Sequence, residues 1–70
     1  MNRQRVSSTS IRSIGYDPDN RILEVELRNG GIYQYFQVPS EVHRSFADAP
    51  SKGGYYTKFI KPAYRFRKVK

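Results

Sequence analysis

Residues 22–38 read ILEVELR, NGG, IYQYFQV, and this stretch decides the fold. Leu23, Val25 and Leu27 alternate with Glu24 and Glu26, the period-two pattern of a strand with one buried face. Asn29-Gly30-Gly31 is a hairpin signal, because Asn and Gly accept the left-handed backbone that a tight return needs. The returning run carries Tyr33 and Tyr35 two positions apart, so both rings point to one face. Register decides which face. A two-residue Asn29-Gly30 loop pairs Leu27 with Ile32 and puts the rings beside Glu24 and Glu26. A three-residue loop with a left-handed glycine shifts the parity by one and puts them beside Leu23, Val25 and Leu27. The longer loop is the expectation, since it keeps both glutamates outside and Gln34 away from the aliphatics.

Working outward, a first strand is expected over 10–16. Asp17-Pro18-Asp19-Asn20 then makes a turn, in which Pro presets φ and Asp or Asn bonds nearby backbone. Strands over 22–28 and 32–38 complete an antiparallel meander. Pro39 suits a helix start and Glu41 its positive end, which predicts a helix over 39–48. Val42 and Phe46 fall on one stripe of that helix. Ala49-Pro50 ends it, and Ser51 is the candidate N-cap of a second short helix over 51–60. Gly53-Gly54 weakens the first turn of that helix by about 1 kcal/mol per glycine against alanine. Glycines there also permit close approach of another backbone or a ligand. Tyr55, Tyr56, Phe59 and Ile60 supply the apolar face, and Pro62 stops the helix. Residues 64–69 alternate ring and charge, as a final strand or an extended tail. Residues 1–9 and 69–70 read as flexible. The expected architecture is α+β: a small antiparallel sheet of three to four strands with two short helices packed on one face.

Seventy residues form one domain. A chain this short buries only about 60% of its unfolded surface, so its core is small. There is no cysteine, which excludes disulfide scaffolds and thiolate metal sites. No apolar run approaches a membrane span. The expectation is a soluble, cytoplasmic protein with no membrane contact, monomeric or weakly oligomeric. Net charge is +7 and the pI is near 10.1. All six acids lie between Asp17 and Asp48, and residues 52–70 carry only cations. Basic ends around an acidic middle point to a polyanionic partner, commonly nucleic acid.

YQY at 33–35, Val38-Pro39, SKGGYY at 51–56, Ile60 and Tyr64 together resemble the KTSC domain family. That domain sits at the C-terminus of some lysyl-tRNA synthetases and also stands alone as a small bacterial protein. The likeness runs from about Val6 to Lys68, with the family's Tyr-x-Tyr at Tyr33 and Tyr35. Thr57 stands where the family pattern has Asn, and His43 where an aromatic residue is common. The resemblance implies an RNA-binding role, through the synthetase attachment.

Candidate contacts follow from chemistry. Tyr33 and Tyr35 are either core rings with polar tips or a stacking platform for bases. Arg65, Arg67 and Lys68 interleave cations with Tyr64 and Phe66, which suits phosphate neutralisation or an edge strand guarded by charge. Arg3 and Arg5 would join the same face if the first and last strands were neighbours. Lys52, Lys58 and Lys61 add cations along the second helix. SKGG at 51–54 is a capped turn or a small phosphate cradle, and is not a Walker A sequence. His43 is the lone histidine and is expected on a solvent-facing helix surface, with no metal partner. Glu24 and Glu26 are expected as exposed strand residues rather than an acid–base pair. No catalytic constellation and no cofactor are expected. The sequence therefore leads to an accessory RNA-binding module, with docking on a larger protein assembly as the alternative.

Overall fold

Alternation in the two hairpin strands becomes the centre of a five-stranded antiparallel sheet in the computed structural model, which describes residues 1–70. In chain order the elements are β1 (Arg3–Arg5), β2 (Ile11–Asp17), β3 (Ile22–Leu27), β4 (Ile32–Tyr35), α1 (Ser40–Asp48), α2 (Lys52–Tyr55) and β5 (Phe66–Lys68). A wide π-helical turn over Tyr56–Ile60 continues α2 directly. Spatial strand order equals chain order, so β1 and β5 are opposite edges.

The hairpin takes the longer loop. Leu23 pairs with Tyr35 and Val25 with Tyr33, and Gly30 has φ +98°. The Leu27 N–H donates to the Gly31 carbonyl, which leaves Arg28, Asn29 and Gly30 as the loop. Tyr33 and Tyr35 therefore share a face with Leu23 and Val25, as the parity argument requires. Both helices cover that face. Phe46 from α1, with Tyr56 and Ile60 from the wide turn, packs with Ile11, Ile14, Leu23, Val25, Tyr35 and Val38. Val42 packs against the same cluster from the first part of the α1 stripe.

Local signals were mostly accurate. Ser51 caps α2 by accepting from the Gly54 N–H at 3.2 Å. Pro39 takes the N-cap position of α1, one residue before the helix proper. The Asp17 carboxylate accepts from the backbone of Asp19 and Asn20 and fixes the β2–β3 turn. Arg21 completes that turn with φ 56°.

Four expectations change. The sheet has five strands, not three to four, because Arg3–Arg5 pairs with β2 although its residues show no apolar alternation. The second helix is a short α-helix running into a π turn closed by the Lys61 N–H on the Tyr56 carbonyl at 2.9 Å. Phe59, expected on the apolar face, lies outside the core and is 50% exposed. His43 is half-buried and stacks on Tyr16, with centroids 4.7 Å apart and planes 6° from parallel. Burial, then the neighbouring Arg44, pushes its pKa down. Glu24 is buried at 7% exposure and Glu26 is half-buried, because Arg3 lies over both.

Candidate nucleic-acid interface

The two sheet faces place the cations in different electrostatic settings. On the open face, residues from all five strands form one polar ladder. Arg3 donates to Glu24 and, through Nε, to Ser13 Oγ at 3.0 Å. The Ser13 hydroxyl donates to Glu26 at 2.8 Å, and Gln34 donates to Glu24 at 2.8 Å. Arg67 reaches Gln34 at 3.4 Å, and Arg12 lies 3.8 Å from Glu26. The Ser13 hydrogen bond, with Arg3 and Arg12 beyond it, holds the Glu26 carboxyl below the usual carboxylate range. Gly15 makes the ladder possible: a Cβ there would lie 2.8 Å from Arg3 Cγ, so only glycine lets Arg3 cross the strand. No buried side-chain polar atom lacks a partner. Arg3 is thus neutralised within the protein and is not a free phosphate ligand.

Near β5 the helix-covered face is different. Phe66 is 60% exposed and meets Tyr33 edge-on, with centroids 5.9 Å apart, and Tyr35 at 5.8 Å. The Lys68 ammonium lies 6.0 Å from the Tyr33 centroid, a cation–π arrangement. Leu27, Tyr56 and Lys61 close a depression of about 260 Å³ around these rings. No carboxylate lines it. At its floor Tyr35 is 2% exposed, and its hydroxyl lies 2.6 Å from the Tyr56 hydroxyl. Burial pushes both phenols up in pKa, so both stay neutral and hydrogen-bonded.

The candidate residues separate accordingly. Tyr33, Lys61 and Lys68 come together around Phe66, whereas Tyr35 is a core ring that only floors the depression. Arg65 and Arg67 are exposed on the β5 segment, with Arg67 tied to the open-face ladder. Arg3 and Arg5 lie on the far edge, since β1 and β5 are not neighbours. Lys52 donates to the Ala49 carbonyl at 3.0 Å. Lys58 is exposed beside a hydroxyl-rich groove between residues 7–10 and α2. Leu27 and Tyr56 join the depression without any sequence signal for contact. Their apolar character marked them as core, and only packing shows one edge of each reaching the depression. No cluster of three or more His, Asp or Glu residues is arranged to hold a metal ion.

This sheet, with its Tyr-x-Tyr strand under a glycine-rich second helix, has close relatives. The KTSC domain profile matches residues 7–64. The chain belongs to the KTSC domain family. A crystal structure of a KTSC domain protein from Yersinia pestis superposes with a TM-score of 0.95 at 49% identity, covering 99% of this chain and 97% of that one. An uncharacterized protein of Stutzerimonas stutzeri is 41% identical over 70 residues, covering 99% of both. A lysine–tRNA ligase of a Nostoc species is 39% identical over 59 residues, which are 84% of this chain and 10% of the ligase. The KTSC fold thus occurs both at this length and as a small part of a much longer enzyme. No helix of this KTSC chain is long and apolar enough to cross a membrane.

Proposed function

We propose that this KTSC domain is an accessory RNA-binding module without catalysis of its own. The observation that carries it is the exposed Phe66 ring, set against Tyr33 beneath Lys68 and beside Lys61, in a depression with no carboxylate. An exposed ring beside flexible ammonium groups suits a base stacked on the protein with its phosphates neutralised nearby. The relatives that carry this domain within lysine–tRNA ligases support RNA as the polyanion.

The test is fluorescence anisotropy with single-stranded RNA across a salt series. Neutralising about four phosphates gives a log–log slope of about −3, and Lys61→Gln with Lys68→Gln flattens it by about 1.4. Phe66→Ala weakens binding by about 1–3 kcal/mol without changing the slope. Arg5→Gln, on the opposite edge, leaves affinity nearly unchanged. No binding by folded protein at low salt ends the proposal. Equal loss from Arg5→Gln and Lys68→Gln would reduce it to a diffuse effect of the +7 charge. A second reading, docking of an acidic protein strand on β5, is favoured by the free edge of that strand and its run of cations. Retained capture of a protein partner after RNase treatment, with no RNA affinity, would select it.

A further inference from the structure

We infer that the Phe66 depression is one end of a continuous track for single-stranded nucleic acid that runs along α2 to the hydroxyl-rich groove at residues 7–10. This rests on the RNA reading and specifies the path the strand takes. Three depressions adjoin. The first holds Phe66, Tyr33 and Lys61, with Leu27 and Tyr56 at its margin. Leu27 and Tyr56 also line the second, with Thr9, Ser10, Arg28 and Thr57. Thr9, Ser10 and Thr57 in turn line the third, a groove of about 640 Å³ that includes Lys58 and Gly53. Shared walls make the three one path.

The helix supplies the reason for continuity. Gly53, Thr57 and Lys58 line the groove at residues 7–10, Thr57 also lines the second depression, and Lys61, at the end of the wide turn, lines the first. Gly53 leaves room at the far end: a Cβ there would lie 2.5 Å from Ser10 Oγ and would turn that hydroxyl away from α2. The chemistry changes along the path in the way a nucleotide chain asks. Exposed aromatic surface lies at the β5 end, and hydroxyls with lysine lie at the other. None of the six acids of the chain lines any of the three depressions. Every charged side chain on the track is therefore a cation. With molecular extents of 28 × 25 × 23 Å, a track along one side accepts about four nucleotides, the low end of single-strand site sizes.

The test compares hexauridylate with diuridylate, followed by amide chemical shifts in the folded full chain at low salt. Hexauridylate is expected to shift the Gly53, Gly54 and Ser10 amides together with those of Phe66 and Lys68. Diuridylate at saturation is expected to move only the Phe66 and Lys68 amides, at the aromatic end. Lys58→Glu should weaken hexauridylate binding by about tenfold, with diuridylate affinity and the melting temperature unchanged. Shifts confined to Phe66 and Lys68 with the longer probe would overturn the track while leaving RNA binding in place. Equal effects of Lys58→Glu on both probes would also overturn it, as general electrostatics. No shift with either probe would remove both the track and the RNA reading.

Discussion

The two faces of β3 and β4 are built from alternate residues of the same strands, yet they solve opposite problems. On the covered face, Leu23, Val25 and Tyr35 are buried against Phe46, Tyr56 and Ile60. The stabilisation there is area removed from water, about 25 cal/mol per Å² of apolar surface. On the open face no helix packs, and Glu24 and Glu26 are covered instead by Arg3. The gain there is small, because each ion pair exchanges hydration for a partner. The contrast teaches why the basic ends of this chain are not equivalent. Arg3 is consumed in holding the open face together, whereas Lys61, Lys68 and Phe66 on the covered side make no ion pair or side-chain hydrogen bond and remain available to a ligand.

The largest effect that tests this contrast comes from the covered face. Phe46→Ala should cost about 3–5 kcal/mol, since the ring is fully buried and stacked near Tyr55 and Tyr56. A chain of this size has only about 4–10 kcal/mol in total, so urea unfolding should show a much lowered or absent transition. A loss below about 1 kcal/mol would mean the helix face contributes far less than its burial implies.

Next is the open face. Arg3→Met leaves the Glu24 carboxylate with Gln34 alone, and should cost about 1–2 kcal/mol after allowance for the partial exposure of the arginine. Adding Glu24→Gln should recover part of that loss, because no unpaired charge remains. If Arg3→Met cost as much as Phe46→Ala, the open face would be a second core and the contrast would fail.

The tyrosine pair sharpens the comparison inside the covered face. Tyr56→Phe strands the buried Tyr35 hydroxyl and should cost about 1–2 kcal/mol, whereas Tyr35→Phe with Tyr56→Phe removes both partners and should be nearly neutral. A double-mutant cycle by denaturant melts reads the coupling directly. Additive costs would show that the two hydroxyls do not depend on each other.

The smallest effect is at His43. Burial, then Arg44, holds its pKa below the ordinary 6.5, so the unfolded chain takes up a proton first as pH falls. Its contribution is therefore complete above the unfolded value, and is lost progressively as pH falls through 6.5 toward the folded value. His43→Phe should keep the stack on Tyr16 and flatten that decline in a series of melting temperatures. An unchanged slope in the variant would assign the decline to other groups.

Much of this was legible in the chain because it depended on neighbours in sequence. The period-two run at 22–28, the glycine after Asn29 and the cap at Ser51 each act within a few residues, where local sterics and hydrogen bonds decide. The pairing of Tyr33 and Tyr35 with Leu23 and Val25 followed from loop length alone, and so did their shared face. What the tertiary structure decided was everything that needed distant partners. The strand Arg3–Arg5 has no pattern of its own, and exists because β2 offers an open ladder while Gly15 and Glu24 receive Arg3. The separation of β1 from β5 onto opposite edges, which keeps Arg3 and Arg5 away from the Phe66 depression, is a property of strand order. The meeting of Ser10 with Gly53, and of Leu27 with Tyr56, joins residues 43 and 29 positions apart, and only tertiary packing brings them together.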